Sequence, residues 1–189
     1  SVRIAGRRGL AGNASDEGTC KGVLLDVAEL WELYVLAVLR RAWPGLDVSH
    51  GTREFSSHAL LRNESGELMG MLKPDAVVGR SGVTHAVVDA KYKRLMPTKW
   101  NQAPQREDLY QLAAYLGRFG LPGEEVLGML AYPFDPATPS TPPAEAGNPW
   151  RLDSAKVVRF ITIPHDLDSA ADKVRSEVPL PSLRPSLAA

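Results

Sequence analysis

The pattern of apolar and polar positions predicts two long helices and several short strands. Across residues 24–43, apolar side chains recur at helical spacing on two adjoining stripes, which indicates a mostly buried helix that ends at Pro44. Residues 106–119 repeat the helical spacing with a single apolar face. Short apolar runs bounded by turn residues predict strands at residues 58–61, 71–78, 84–92, 125–134 and 155–164. A shorter helix is expected after the last strand.

The predicted order of elements indicates a mixed α/β fold. A helix comes first, followed by three strands, a helix, two strands and the short helix, which fits a central sheet with helices packed on it. The strands at 71–78 and 84–92 are joined by residues 79–82 and are expected to pair as a hairpin. A further turn is expected at residues 63–66.

Composition shifts divide the chain into three parts. Residues 1–22 contain five glycines without periodicity and are predicted to be an irregular lead-in or the edge of a missing N-terminal domain. Their glycine-rich text lacks the Gly-Lys-Ser/Thr ending of a phosphate-binding loop, which argues against an ATP or GTP site in this chain. Residues 23–178 form the predicted globular domain, with a proline-rich surface loop at 135–149, and residues 179–189 an irregular proline-rich tail. The chain begins with Ser1 instead of Met, as a fragment or a processed product of a longer protein would.

Composition and charge narrow the classes of function. The chain of 189 residues carries 22 Lys plus Arg and 22 Asp plus Glu, so any affinity for nucleic acid must come from local basic patches. The single cysteine, Cys20, excludes an internal disulfide, and the scattered histidines exclude zinc-ligand spacing. Neither a signal peptide nor a membrane-spanning segment is expected from this sequence, and a reducing cytoplasm is the expected compartment.

Polar side chains interrupt both strands of the predicted hairpin. Asp75 follows Pro74 on the first strand, Asp89 ends the apolar run of the second, and Lys91 comes two places later on the same face. An acidic residue two places before a lysine is expected about once by chance in this composition, so the pattern gains weight only from its place in the sheet. Two neighbouring carboxylates repel each other unless a cation lies between them, and such oxygen ligands suit Mg²⁺.

Glu32 is the only charged residue between Leu30 and Leu39, inside the first predicted helix. Glutamate is a good helix former, so one interpretation places Glu32 at a narrow solvent-exposed edge. The other interpretation buries it, where its charge is costly unless an ion pair or a metal compensates it. The helix alone favours neither.

The second helix adds Gln111 and Tyr115, which lie four places apart and therefore on one face. A tyrosine at this spacing commonly packs on the neighbouring turn, so the pair also has a purely structural interpretation. Glu107 and Asp108 are interpreted as acidic residues favoured at a helix N-terminus. The basic run at residues 91–94 is expected either to contact a phosphate backbone or to be solvated surface, as are Lys99 and Trp100 beyond it.

Taken together, these residues resemble the PD-(D/E)xK nuclease superfamily. The motifs follow one another as a helix with Glu32, a Pro-Asp pair at Asp75, Asp-x-Lys at Asp89 and Lys91, and a Gln-x-x-x-Tyr helix. The text LKPDAVV, VVDAKYK and DLYQLAAY is similar to the nuclease domain of the McrC family, over about residues 24–134. The resemblance implies a restriction-endonuclease-like αβββαβ core with a mixed central sheet flanked by helices.

The resemblance also implies a Mg²⁺ site, with Mn²⁺ as a substitute, and a role for each matching residue. The implied metal ligands, which are also catalytic, are Glu32, Asp75 and Asp89, with the backbone carbonyl of Ala90. Lys91 is implied to be the catalytic lysine, and Gln111, also catalytic, to orient Lys91 or the backbone. Tyr115, which would pack beside the site, and Lys93 are the implied supporting residues.

The function implied by the resemblance is that of a metal-dependent DNA endonuclease subunit of a restriction system. It would cut duplex DNA containing 5-methylcytosine when driven by an McrB-type AAA+ GTPase, although the family's N-terminal partner-binding region is not recognisable in this chain. One alternative is a DNA repair or recombination nuclease of the same superfamily, which would cut ends or flaps unaided. The other is a non-catalytic assembly subunit that stimulates a motor protein, although such a scaffold would usually have lost one of the motif residues.

Overall fold

The structure, a computed structural model, describes residues 26–51, 58–93, 96–97, 102–119, 123–137 and 141–180. Its helices are α1 (Val27–Ala42), α2 (Arg106–Phe119), α3 (Pro143–Ala146) and α4 (Leu167–Glu177). Its strands are β1 (Asp47–His50), β2 (Ala59–Arg62), β3 (Leu68–Met71), β4 (Ala76–Arg80), β5 (Val83–Ala90), β6 (Met96–Pro97), β7 (Gln102–Ala103), β8 (Val126–Pro133), β9 (Trp150–Arg151) and β10 (Lys156–Ile163). The predicted lead-in at 1–22, with Cys20, and the tail after residue 180 lie outside the described residues.

A six-stranded mixed sheet, in the order β1-β4-β5-β8-β10-β9, forms the centre of the fold. β5, β8 and β10 are parallel to one another, whereas β1 and β4 on one side and β9 on the other pair antiparallel. In chain order, α1, β1, β4, β5, α2 and β8 give the αβββαβ sequence of elements. The predicted mixed sheet with flanking helices is therefore confirmed.

Helices α1 and α4 cover one face of the sheet. The Asp26 side chain begins α1 by accepting hydrogen bonds from the backbone N–H groups of Ala28 and Glu29, at 3.0 and 3.3 Å. Most apolar side chains of α1 are buried against β5, β8 and β10 together with the small residues of α4, whereas Val27, Leu30 and Leu33 are exposed. No helix in the described ranges is long and apolar enough to cross a membrane.

Helix α2 covers the opposite face and begins and ends where the sequence predicts. Its apolar side chains Leu112 and Leu116 pack directly onto Gly128 of β8, where a Cβ atom would lie 2.8 Å from Leu116 Cδ1. The absence of a side chain at Gly128 therefore lets α2 approach the sheet closely. This approach brings the first two turns of α2 to the end of β5.

Two predictions about the strands need correction, and one is as expected. The predicted strand at 71–78 is two strands, because β3 pairs with β2 in a separate hairpin and residues 72–75, which include Pro74, form no ladder. The predicted strand at 58–61 corresponds to β2 and lies outside the central sheet, where the place expected for it is taken by β1. The β4–β5 pairing is as expected, and positive φ angles at Ser81 (52°) and Gly82 (80°) give its tight turn.

The proline-rich segment at 135–149 is also more ordered than predicted. It contains α3, in which Ala144 and Glu145 are buried against β10. The expected surface loop is therefore wrong for this part, because Thr162 of β10 supplies hydrogen-bond donors to Glu145 that no local pattern reveals.

Candidate active site

Two aspartates meet at one end of the central sheet. Asp75 directly precedes β4 and Asp89 lies near the end of β5, and the pairing of Ala76 with Val88 brings the two carboxyl groups side by side. The Asp75 carboxylate accepts a hydrogen bond of 2.6 Å from the backbone N–H of Ala90. The sheet thus joins the two acidic residues that the sequence separates by fourteen positions.

The electrostatics of this pair are unfavourable without a further positive charge. Burial, and after it the negative charge of Asp89, raises the pKa of Asp75 to about 8. Asp89 is only 2% exposed, and its Oδ2 makes no hydrogen bond although Lys91 Nζ lies 2.6 Å away. The contact with Lys91 is therefore an ion pair with poor hydrogen-bond geometry, formed beside a second carboxyl group.

A chain of hydrogen bonds from α2 holds Lys91 in the site. Lys91 Nζ donates to Gln111 Oε1 at 2.9 Å, and Gln111 Nε2 donates to the Tyr115 hydroxyl at 2.6 Å. The Tyr115 hydroxyl in turn donates to the backbone carbonyl of Lys73 at 3.0 Å, just before Asp75. Burial raises the pKa of Tyr115, so its hydroxyl stays protonated and fixes the direction of the chain. Gln111 and Tyr115 therefore form one unit with Lys91.

The burial of Glu32 is intermediate between the exposed and the buried position that the sequence left open. Its side chain is half-buried on α1, so it is neither a core carboxylate nor a fully solvated one. Burial raises its pKa most, followed by the charges of Asp26 and Asp89, while Lys91 lowers it. Glu32 thus lies within electrostatic reach of the Asp89–Lys91 pair.

Asp108 is a site residue that the sequence interpretation missed. Glu107 is exposed, as expected at a helix N-terminus, but Asp108 is only 4% exposed. Lys93 Nζ lies 2.9 and 2.8 Å from its two carboxylate oxygens, and Lys91 Nζ lies 3.9 Å from Oδ1. The three-residue spacing from Asp108 to Gln111 places both on one helix face and is the signal that could have found it.

The basic run after β5 is directed inward at its first and third positions. The side chains of Lys91 and Lys93 are 17% and 32% exposed, and both contact carboxylates of the protein, so neither is a freely solvated cation. Tyr92 between them is 53% exposed, with its ring 6.3 Å from that of Trp31. Arg94, Lys99 and Trp100 lie outside the described residues.

The donor set at Asp75 and Asp89 fits a hard divalent cation. Two adjacent carboxyl groups, one with a raised pKa and the other with a buried oxygen that lacks a hydrogen bond, are relieved by positive charge. Among the described residues, no three acidic, histidine or cysteine side chains stand close enough together to form a preorganised metal cage. Mg²⁺ commonly binds through one or two carboxylates and several waters, so a pair is enough.

Comparison with known proteins places the chain in a family. The family model described as McrBC 5-methylcytosine restriction system component matches residues 9–133, and no curated protein matches. Among solved structures, a chain of the refined half-complex from a tetradecameric assembly of Thermococcus gammatolerans McrB AAA+ hexamers with bound McrC has the same fold. Its TM-score is 0.58 at 18% identity, over 82% of this chain and 33% of that one, so this chain spans about a third of its neighbour's length. The resemblance seen in the sequence is confirmed at the level of the family, and this chain belongs to the McrBC 5-methylcytosine restriction system components.

Proposed function

We propose that this chain is the DNA-cutting, McrC-type subunit of a modification-dependent restriction system. The observation that carries the proposal is the buried Asp89 carboxylate, which lies beside the Asp75 carboxyl group, whose pKa is raised to about 8, and 2.6 Å from the Lys91 ammonium group. Crowded acidic groups with a perturbed pKa are typical of catalytic sites, and two carboxylates with a lysine suit metal-assisted phosphate chemistry.

Asp75 and Asp89 are the residues that would hold Mg²⁺, with Glu32 and the carbonyl of Ala90 as further oxygen donors. The bound ion would supply Lewis-acid stabilisation of the negative charge that builds on the phosphodiester oxygens during hydrolysis. The protein's own contribution is to place the carboxylates on the rigid ends of two paired strands.

Besides the charge of the metal ion, the site has a positive charge from the protein, the ammonium group of Lys91. Its hydrogen bond to Gln111 and the onward bond to Tyr115 hold the ammonium group beside Asp89. From there Lys91 would orient the scissile phosphate and the attacking water, and would offset the charge of the transition state. Gln111 and Tyr115 act through Lys91, because neither the Gln111 amide nor the Tyr115 hydroxyl gains or loses charge near neutral pH.

The proposed substrate is duplex DNA that contains 5-methylcytosine, and the proposed partner is an McrB-type AAA+ GTPase. Support comes from the description of the family and from the solved neighbour, in which McrB hexamers carry bound McrC. Family membership disfavours a repair nuclease. Retention of the whole motif disfavours a non-catalytic assembly subunit; its members are Glu32, Asp75, Asp89 and Lys91.

The first experiment that tests the proposal is calorimetric titration of the protein with MgCl₂ and then MnCl₂, with and without a DNA duplex. The wild type is expected to bind metal and the Asp75→Asn/Asp89→Asn variant to lose this binding while staying folded. The control is Asp47→Asn/Glu107→Gln, which removes two exposed carboxylates and should bind like the wild type. Equal binding by all three proteins, or no binding by the wild type even with DNA, contradicts the site.

The second experiment is cleavage in the presence of the GTPase partner and GTP. Methylated duplex is expected to be cut by the wild type and left intact by the Asp75→Asn/Asp89→Asn variant. Equal cutting of an unmethylated duplex of the same sequence contradicts dependence on the modification. Cutting of DNA ends or flaps without the partner would favour the repair alternative instead.

A further inference from the structure

Lys91 has two carboxylates within reach, and they differ in what else they can do. Asp89, 2.6 Å from Lys91 Nζ, is also a proposed metal ligand. Asp108, whose Oδ1 lies 3.9 Å from the same Nζ, stands on α2 and is already paired with a lysine of its own, Lys93. A cation bound at Asp89 would therefore weaken the contact of Lys91 with Asp89 but not its contact with Asp108.

Asp108 is firmly held in its place. It is 4% exposed in the first turn of α2, and Lys93 Nζ lies within 2.9 Å of both of its oxygens. Lys93 is itself held by a hydrogen bond of 2.7 Å to the Gln105 side chain. The hydroxyl of Tyr132 is buried in the same region, and the Asp108 charge helps to raise the pKa of Tyr132 after burial has done so. Asp108 therefore stays in position whatever Lys91 does.

A cation at Asp75 and Asp89 changes the balance of charge around Lys91. Without it, two carboxylates (Asp89 and Asp108) face two ammonium groups (Lys91 and Lys93) on this side of the sheet. With a divalent cation held by Asp75 and Asp89, the Asp89 carboxylate would no longer balance the charge of Lys91, whose side chain is only 17% exposed, and the two positive charges would repel each other. A largely buried ammonium group that loses its counter-charge stays in the site only if another carboxylate faces it.

We propose that Asp108 is a positioning residue for Lys91: its fixed carboxylate becomes the counter-charge that keeps the Lys91 ammonium in the site when Asp89 binds a cation. This inference rests on the proposed function for the identity of the cation site. It gives Asp108 a role beyond that of an acidic residue at a helix N-terminus. It also gives a reason for the contact of a second lysine, Lys93, with the same aspartate: this contact holds the Asp108 carboxylate in position.

The first test follows the side-chain ammonium signal of Lys91 by ¹⁵N NMR and needs neither metal nor DNA. Asp89→Asn removes the charge that a cation would occupy, and the slowly exchanging Lys91 signal, assigned with Lys91→Arg, is expected to persist in it. The signal should vanish in Asp89→Asn/Asp108→Asn and persist in the control Asp89→Asn/Glu107→Gln, which removes an exposed charge from the same helix turn. Persistence in the Asp108 variant, or loss in Asp89→Asn alone, overturns the inference.

The second test is kinetic and uses the complete complex on methylated duplex. Asp108→Asn is expected to lower kcat by about 10–100-fold, as substitutions behind a directly acting group commonly do. KM for DNA and the affinity for Mg²⁺ should stay at wild-type values, and Glu107→Gln should leave all three unchanged. An equal kcat for the two variants overturns the inference, as does a fall in Mg²⁺ affinity that accounts for the whole loss.

A replacement pair covers the case in which Asp108→Asn does not fold. Asp108→Leu with Lys93→Met exchanges the buried ion pair for apolar side chains, a change that proteins often tolerate. In the Asp89→Asn background this pair should abolish the Lys91 signal, whereas Lys93→Met alone, which keeps the Asp108 carboxylate, should retain it; the reverse result overturns the inference. If the wild type neither binds Mg²⁺ nor cuts DNA, the proposed function fails, and the NMR comparison still decides whether Asp108 holds Lys91.

Discussion

Two carboxylates of this chain, Asp89 and Glu145, are buried to a similar degree but differ in their hydrogen-bond and ion-pair partners. Glu145, 5% exposed, accepts hydrogen bonds from the N–H and hydroxyl groups of Thr162 at 3.1 and 2.7 Å, and Lys173 Nζ lies 2.7 Å from it. Asp89, 2% exposed, has an oxygen without a hydrogen bond and a second carboxyl group, that of Asp75, beside it. Burial alone therefore does not separate a structural carboxylate from a functional one.

The difference lies in what each cluster does for the folded state. Glu145 and Lys173 join α3 to α4 across β10, because Lys173 also donates a hydrogen bond of 3.1 Å to the Thr162 hydroxyl. Every oxygen and charge in that cluster has a partner, so removing a member costs stability. At Asp89 the like charges work against folding, so removing one relieves repulsion and costs activity instead.

The largest expected effect is the loss of cleavage on changing Lys91 or Asp89 to alanine. Each variant should cut methylated duplex at least about 10³-fold more slowly, because the lysine and the carboxylate act on the transition state as parts of one unit. Single-turnover cleavage with the GTPase partner measures the rate, and thermal unfolding should show an intact fold. A well-folded Lys91→Ala protein that cuts at the wild-type rate would remove the basis of the assignment.

At the cluster of Glu145, Thr162 and Lys173 the opposite is expected, namely a loss of stability without a loss of cleavage. Glu145→Ala should lower the free energy of unfolding by about 3 kcal/mol, because it removes the 2.7 Å ion pair of Lys173 and leaves Glu177, 3.9 Å away, as the nearest counter-charge that the structure describes. Urea unfolding measures the loss, and cleavage per folded molecule should not change.

The matched control for Glu145 is Asp172→Ala, on the same helix as Lys173. Asp172 forms an exposed ion pair with Arg175, and its side chain is 73% exposed. Such a pair contributes less than about 1 kcal/mol. Equal losses of stability in the two variants would contradict the distinction between the two clusters.

Much of the candidate site could be predicted from the sequence, because local spacing determines it. Asp89 and Lys91 share a strand face, and Gln111 and Tyr115 share a helix face, whatever surrounds them. Helix α2 was predicted to the residue because one clear apolar stripe defines it. The αβββαβ order was predicted as well, although β1 was missed, since its four residues include only Val48 as a buried position.

What could not be predicted depends on contacts between distant segments. Asp108 follows the rule for exposed acidic residues at a helix start, and only the packing of α2 beside Lys93 buries it. Glu145 lies in a proline-rich stretch, and its partner Thr162 comes seventeen residues later. The half-burial of Glu32 likewise depends on where the end of β5 lies relative to α1.

A smaller effect is expected when the repulsion at the active site is relieved. The pKa of Asp75, about 8 in the folded protein, is far above that of an unfolded aspartate, so the wild type loses stability as the pH rises from about 4 to about 8. Asp75→Asn carries no titrating group there and keeps an oxygen for the Ala90 N–H. In EDTA, the variant should be more stable than the wild type at pH 8, and the two proteins should be equally stable at pH 4.

The measurement for Asp75→Asn is urea unfolding at a series of pH values. Glu145→Gln is the contrasting variant, because it should lose stability at neutral pH instead of gaining it. A difference between Asp75→Asn and the wild type that stays constant from pH 4 to pH 8 would show that the carboxyl group of Asp75 is not perturbed by its neighbours.

The smallest effect is expected at Glu32, which is half-buried and lies at the edge of the unsatisfied cluster. Glu32→Gln should lower the cleavage rate about tenfold when Mg²⁺ is limiting, because one negative charge near the proposed metal site is lost, and excess Mg²⁺ should restore part of the rate. Cleavage rates measured over a series of Mg²⁺ concentrations separate weaker metal binding from slower chemistry. Glu29→Gln removes an exposed charge one turn earlier on α1 and should leave the Mg²⁺ dependence unchanged. Identical Mg²⁺ curves for the two variants would exclude Glu32 from the site and leave the Asp75–Asp89 pair to bind the cation by itself.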